Sequence, residues 1–411
     1  MTPELRFKGF TEPWEQRKLG EVGTTYTGLS GKTKNDFGHG EGKFVTYMNV
    51  FSNPISSLSM VEPIEVDDSQ NEVNVGDVFF TTSSETPEEV GMTSVLLEKQ
   101  GKTYLNSFCF GYRPTRKFDN YYLAYMLRSS NVRNKIVFLA QGISRYNISK
   151  NKVMDIDVPI PNLNEQQEIG AYFKNLDNLI TLHQREVDTL TNIKKGLMQK
   201  IFSQEIRFKA DDGSEFPEWK KKTLSSIGSF YNGLSGKTKD DFGKGNSKYI
   251  TYMNVFKNVF SNQDLLENVI ISEKEKQNHV EYGDMLFTQS SETFEEVGMT
   301  SVYLYEDRPY LNSFCIGFHL SDLNTTYPQY MGYLMRTENV RKQIINEGQG
   351  ISRINLSANR LMNITLIIPC LEEQQKIADC LSAMDKKIEV AQKELETLKT
   401  IKKGFLQQMF V

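Results

Sequence analysis

Four histidines and four cysteines in 411 residues leave little from which to build a metal or nucleophile site. No two of Cys109, Cys315, Cys370 and Cys380 form a C-x-x-C pair, so neither a zinc ribbon nor a thiol redox motif is expected, and the thiols read as reduced and mostly buried. No apolar run approaches the roughly 18 residues of a membrane span, and the opening MTPELRFKGF has no apolar stretch and no twin arginine. The expectation is a cytoplasmic chain without a signal peptide. Positive charge is also lacking. Lys and Arg number 48 against 52 Asp and Glu, a net charge of −4. That balance gives no support to non-specific nucleic-acid binding, which normally shows as a basic excess.

What the chain does have is repetition. Residues 27–51, TGLSGKTKNDFGHGEGKFVTYMNVF, return at 232–256 as NGLSGKTKDDFGKGNSKYITYMNVF, with 18 of 25 positions identical. TTSSETPEEVGMTSV (81–95) returns at 288–302, YLNSFCFG (104–111) at 310–317 and QGISRYNISKN (141–151) at 349–359. A Trp stands near the start of each copy, Trp14 and Trp219, and the offset drifts only from 205 to 208. A period this long is not a solenoid unit; it means two whole domains of one fold. Within each copy, Gly-rich turns and short apolar runs such as FVTYMNV, GDVFF and SVLL predict an α/β or α+β domain with short strands. A Tyr-rich helical stretch follows, Asn120 to Ile136 and Tyr327 to Ile344.

Each copy closes on a long helix. Ile169, Phe173, Leu176, Ile180, Val187, Leu190, Leu197 and Ile201 keep a strict 4,3 alternation once His183 and Lys194 fill two slots. Ile377, Leu381, Met384, Ile388, Ala391, Leu395 and Leu398 do the same. A period of 3.5 held this long is a coiled-coil seam, with His183 and Lys194 as register-setting polar positions. Pro161 and Pro369 help fix the helix starts; Asn164 with Gln167 predicts a capping box in the first, and Glu372 a weaker cap in the second. The predicted order is a domain at 1–160, a helix at 161–203, a domain at 204–368 and a helix at 369–411. The two helices most simply pair with each other as an antiparallel coiled coil that joins and spaces the two domains; the alternative is that each packs on its own domain.

GLSGKT, at Gly28–Thr33 and Gly233–Thr238, invites a phosphate-loop reading. A Walker A motif needs a further glycine about five residues upstream, and those places hold Tyr26 and Tyr231. The better reading is a polar basic loop suited to phosphate and base-edge contacts: Ser30, Lys32, Thr33 and Lys34, repeated as Ser235, Lys237, Thr238 and Lys239. Ser83, Ser84, Asn106, Ser144, Arg145 and Asn147, with Ser290, Ser291, Asn312, Ser352, Arg353 and Asn355, are the other DNA-contact candidates. The same residue types also form turns and caps. None of His39, His183, His279 and His319 has a histidine at the matching place of the other copy, so a reaction performed by both halves does not use histidine. Glu85, Glu88 and Glu89, repeated as Glu292, Glu295 and Glu296, read as a solvated acidic loop rather than a metal site. No G-x-G-x-x-G and no Asn/Asp-Pro-Pro-aromatic motif occurs. Catalytic residues, resident cofactor and metal are therefore all expected to be none.

Taken in order, these segments carry a resemblance. Each copy opens on Trp and Lys (Trp14, Lys18; Trp219, Lys221), continues with a Gly-rich segment, and then has Gly76-Asp77-Val78-Phe79 or Gly283-Asp284-Met285-Leu286. Gln-Gly-Ile-Ser-Arg then precedes Pro-x-x-x-Glu-Gln-Gln-x-Ile, from Pro161 to Ile169 and from Pro369 to Ile377. Over essentially its whole length the chain resembles the specificity subunits of type I restriction–modification systems, departing where Leu-Ser-Gly-Lys-Thr stands for the family's Gly-Gly-Thr-Pro. The resemblance implies two target-recognition domains spaced by an antiparallel helix pair, and a non-catalytic subunit that reads a bipartite site on double-stranded DNA. It also implies two methyltransferase subunits that carry S-adenosylmethionine, and two ATP- and Mg-dependent restriction subunits. The rival reading is a duplicated interaction scaffold that binds no DNA. Because the shared loops are so alike, the expected target is an inverted repeat, with Thr82/Gln289, Pro87/Phe294 and Tyr146/Ile354 as the sources of any asymmetry.

Overall fold

A computed structural model describes residues 2–410. The chain divides into two compact units, one running up to Glu186 and resuming at Ala391, the other spanning Val187–Val390. Both boundaries fall inside the long helices, Leu163–Phe202 and Leu371–Gln408.

In the first unit a four-stranded antiparallel sheet has the order Gly23–Thr27, Cys109–Pro114, Val78–Thr81, Thr93–Val95. The strand with sequence VFFT is apolar throughout because both of its faces are covered. Val78 and Phe80 turn to the helices Asn120–Arg128 and Ser130–Phe138, while Phe79 turns to Val45, Val50 and Leu105. A three-stranded sheet (Val61–Ile64, Phe37–Val45, Thr103–Leu105) and a ribbon of Glu15–Lys18 on Asp157–Ile160 complete the domain. The second unit repeats the plan, with the sheet order Gly228–Asn232, Cys315–Leu320, Met285–Thr288, Thr300–Val302. This is the mixed strand-and-helix class read from the sequence.

The repeated Gly-Asp motif has a structural cause. Asp77 is buried and accepts from Tyr26 Oη at 2.6 Å and from Arg113 Nη2 at 2.7 Å. Asp284 accepts from Tyr231 Oη at 2.5 Å and pairs with His319 Nδ1 at 2.8 Å. Burial holds the Asp284 carboxyl above the ordinary carboxylate range. The Glu-Gln-Gln signature is equally structural. Glu165 and Glu373 are fully buried, and each is clamped by two nitrogens of one guanidinium, Arg6 (2.6 and 2.8 Å) and Arg207 (3.1 and 2.7 Å). Gln166 and Gln374 tie the helix starts to the domains by accepting from the backbone of Asp119 and Tyr327. The cap of the first helix is Asn162, whose Oδ1 accepts from Glu165 N–H at 3.0 Å; the expected Asn164 lies within the helix, one residue past its start. The signal was misplaced because Asn-x-Asn offers two caps and Pro161 does not choose between them.

The long helices pass each other in opposite directions within each unit. In the first, Phe173 meets Phe410 (ring centroids 5.7 Å apart) and Asp177 pairs with Lys402. In the second, Ile201 shares a core with Ile377 and Leu381, and Lys194 pairs with Asp385. The seam residues are those of the heptad reading, and its polar slot is built twice from three groups. Tyr333 Oη donates to Asp385 at 2.7 Å while Lys194 Nζ lies 5.1 Å from the Tyr333 ring centre; Tyr125 Oη donates to Asp177 at 2.6 Å with Lys402 5.3 Å from its ring. Asp385→Ala strands a largely buried ammonium and a phenol, and is expected to cost about 1–3 kcal/mol in denaturant titration. Lys194→Met leaves Asp385 without its cation, but that carboxylate is 40% exposed and still accepts from Tyr333, so the loss should be smaller than for Asp385→Ala; an equal or larger drop with Lys194→Met would show that the pair itself holds the seam. No helix among the described residues is long and apolar enough to cross a membrane.

Candidate nucleic-acid interface

On the first domain four short segments meet around a hollow of about 270 Å³. The helix Tyr47–Ser52 supplies Tyr47, Met48 and Phe51; the strand Ser83–Ser84 and the loop after it supply both serines with Glu85 and Glu89. The turn after Asn106 supplies Phe108, and the hairpin at 141–147 supplies Arg145. Every one of these residues recurs in the second copy, Tyr47 as Tyr252, Met48 as Met253, Phe108 as Phe314 and Arg145 as Arg353, the others likewise.

The segments are held in place from within the domain. Tyr47 Oη donates to Ser83 O at 2.7 Å, and Tyr252 Oη to Ser290 O at 2.7 Å. Arg133 donates to the carbonyls of Glu88, Val90 and Gly91, and Arg341 to those of Glu295, Val297 and Gly298, so a buried guanidinium braces each acidic loop. Burial pushes Arg133 and Arg341 down to about 10, which leaves them cationic at neutral pH. Neither arginine was singled out in the sequence, although Asn-Val-Arg recurs at 131–133 and 339–341. Phe108 and Phe314 are more than half exposed at the rim, as are the tips of the two hairpins.

The structure separates the contact candidates. Ser144, Arg145 and Asn147, with Ser352, Arg353 and Asn355, are exposed on the hairpins, and Arg145 reaches the hollow. Ser83 borders it, and its hydroxyl and that of the matching Ser290 are buried with no hydrogen-bond partner among the described residues. Ser84 and Ser291 turn inward and donate to the Thr86 and Thr293 carbonyls, so they are turn formers. Asn106 and Asn312 accept from Phe108 and Phe314 N–H at 2.9 Å and shape the turns that present those rings. Ile354 is buried, which removes Tyr146/Ile354 from the expected sources of asymmetry, whereas Phe294 is exposed.

The GLSGKT loops depart most from expectation. They lead into single 3-10 turns, Lys34–Asp36 and Lys239–Asp241, and the hydroxyls of Thr33 and Thr238 cap these by donating to Asp36 and Asp241 at 2.8 Å. Lys32 lies against Asp67 at 2.7 Å and Lys237 against Glu275 at 2.5 Å, both lysines little exposed. Their charge is spent inside the domain, while Ser30, Thr33 and Lys34, with Ser235, Thr238 and Lys239, are exposed. The hydrogen bond from Lys237 holds Glu275 down to about 2, from an ordinary glutamate value of about 4.3. A depressed acid stabilises the folded loop above its unfolded pKa and loses that contribution as pH falls through the folded one. Loop 233–239 should therefore stay closed at neutral pH and open between about pH 4 and pH 2; loop amide shifts that do not move in that window would refute the pairing.

Serine and arginine donors, glutamate acceptors, and apolar surfaces from Met48 and Phe108 make the rim suited to reading base edges and thymine methyls. Among the described residues no group of three or more His, Cys, Asp and Glu is placed to hold a metal ion.

Two domains of one plan, each bearing this rim and each closed by half of an antiparallel helix pair, define a duplicated recognition subunit. Residues 11–192 and 217–400 each match the family model of the type I restriction modification DNA specificity domain, and the chain belongs to that family. It is 25% identical to the type I restriction enzyme MjaVIII specificity subunit of Methanocaldococcus jannaschii, over 70% of this chain and 68% of that one. The S subunit of the type I restriction–modification system of M. genitalium has a similar fold, with TM-score 0.57, 15% identity, and coverage of 100% of this chain and 99% of that one. A structure described as the basis of complex assembly and conformational transition of the type I R-M system is also similar, at TM-score 0.61 and 18% identity, over 96% of this chain and 97% of that one.

Proposed function

We propose that the chain is the non-catalytic, DNA-reading subunit of a type I restriction–modification complex, with domains 1–160 and 204–368 each reading one half of a bipartite target. The observation that carries this is the hollow whose whole lining is repeated in the second copy. Like readers carried on oppositely running helices read an inverted repeat, as symmetric dimers do on palindromic operators. The target is therefore two reverse-complementary half-sites, or halves that differ at one position because of Thr82/Gln289 or Pro87/Phe294. Two methyltransferase subunits dock on the helices, where Ile193 and Ile401 stand 52% and 39% exposed at matching places in Ile-Lys-Lys-Gly, and restriction subunits join that assembly in the cytoplasm. S-adenosylmethionine, ATP and Mg belong to those partners. Calorimetric titration of the isolated chain with S-adenosylmethionine is expected to show no stoichiometric binding.

Single-molecule sequencing of DNA methylated by the chain with its methyltransferase tests the reading. The expected motif is an inverted repeat with an adenine methylated in each half. Half-sites unrelated by complementarity would overturn the like-reader argument. An assembled complex with no site-specific binding in a gel shift would favour the rival scaffold reading, to which the net charge of −4 lends weight.

A further inference from the structure

The tip of each Gln-Gly-Ile-Ser-Arg hairpin carries an isoleucine that the fold does not use. Ile143 is 95% exposed and Ile351 102%, more than any other large apolar side chain among the described residues. The hairpins themselves are tightly built. Gln141 and Asn147 exchange both backbone hydrogen bonds at 2.9 Å, and Gln349 and Asn355 do so at 3.0 and 2.8 Å. Gly142 has φ +147° and Gly350 φ +137°, and a Cβ on either would fall 1.9 Å from the carbonyl oxygen of Arg145 or Arg353, so the loop closes on itself around a residue that must be glycine. Each hairpin is anchored beside the hollow: Tyr146 and Asn147 pair with Ser84 and Ser83, Ile354 and Asn355 with Ser291 and Ser290. Beyond them Ile148 and Leu356 are buried in the core. A rigid arm therefore holds a β-branched side chain, which has few rotamers to lose, out in water twice in one chain.

Resting on the DNA-reading function proposed above, we infer that Ile143 and Ile351 are wedges that enter the base stack of the target duplex, one at each half-site. The chemistry favours DNA over a protein partner. A protein-docking face needs a contiguous apolar patch on the order of a few hundred Å², and within each hairpin tip one apolar side chain is followed at once by Ser144 and Arg145, or Ser352 and Arg353. A lone aliphatic group with polar and cationic neighbours suits insertion between base steps, with the flanking groups on the phosphates. A base that is to be methylated must leave the stack, and a side chain filling the gap keeps it from closing again. The partner that carries out the transfer would then receive a base already loosened by this chain.

The test uses the full chain assembled with its methyltransferase, and duplexes of the methylated motif with 2-aminopurine at the target adenine. Wild type should raise the fluorescence on binding. Ile143→Ala/Ile351→Ala should bind the motif within about threefold of wild type, yet lose most of the rise and methylate about tenfold or more slowly; Phe at both places should restore both. Ile143→Ala alone should slow methylation in one half-site only. An unchanged rise and rate in the double alanine variant would overturn the wedge. Loss of co-elution with the methyltransferase in that variant would also overturn it, by assigning the isoleucines to a protein contact. A wild-type complex that methylates no motif would overturn the proposed function and the wedge with it.

Discussion

Phe410→Ala should destabilise the first recognition domain and leave the second nearly as it was. Phe410 is 4% exposed two residues past the end of the second long helix, yet its ring lies 5.7 Å from those of Tyr122 and Phe173, both in the core of the first copy. Met409 lies in the same core, with Phe405 and Leu406 packed against it. Truncating a buried Phe costs about 3–5 kcal/mol, against a total stability of about 5–15 kcal/mol for a domain. Hydrogen exchange should show the helix Asn120–Arg128 losing protection while Pro328–Leu334 keeps it. Phe202→Ala should reverse the pattern more weakly, because Phe202 is only partly buried against Trp219 and Tyr330. Equal loss of protection in both domains would mean that the helix ends do not complete the cores individually.

Arg6→Ala is expected to be comparably damaging. It leaves the Glu165 carboxylate, which has no exposed surface, without the guanidinium that neutralises it. Breaking a buried pair from one side costs about 3–5 kcal/mol. Arg207→Ala leaves Glu373 one donor, Trp219 Nε1 at 3.0 Å, and should likewise lower stability. Arg6→Ala/Glu165→Gln should recover part of the loss, since an amide bears burial better than an unpaired charge. Urea midpoints of the three variants decide the matter; a loss under about 1 kcal/mol for Arg6→Ala would show that the carboxylate finds water or another donor.

The duplication, the two long helices and the polar slot at Lys194 were legible in the sequence because each is a periodic or repeated signal; the matching slot at Lys402 was not, and His183 lies instead beside Glu394. Lys194 was read as a register residue from its heptad place, and the structure supplies Asp385 as the reason. The polar architecture was not legible, because it joins residues far apart along the chain. Lys32 looked like a free cation in a flexible loop; Asp67, 35 residues on, is what removes it from the surface. Arg6 and Glu165 are 159 residues apart. Leu-Arg-Phe-Lys at 5–8 and Ile-Arg-Phe-Lys at 206–209 are nevertheless part of the repeat. Ser84 and Asn106 carry side chains fit for base contacts, and only their burial and turn geometry show that they are committed inward. Ile143 carried no polar signal at all; it is its exposure that makes it informative.

The crossed helix ends have a consequence for inheritance. Each core is completed by the other copy's helix, and the groups that do so are the same in both, Phe202 and Phe410 with Lys194 and Lys402, which meet Asp385 and Asp177 on the receiving side. A genetic exchange with crossovers inside the two long helices would replace a whole reader and still find the same side chains waiting at the join. Under the proposed function, one recombination event would then exchange a half-site with no compensating change in the helices.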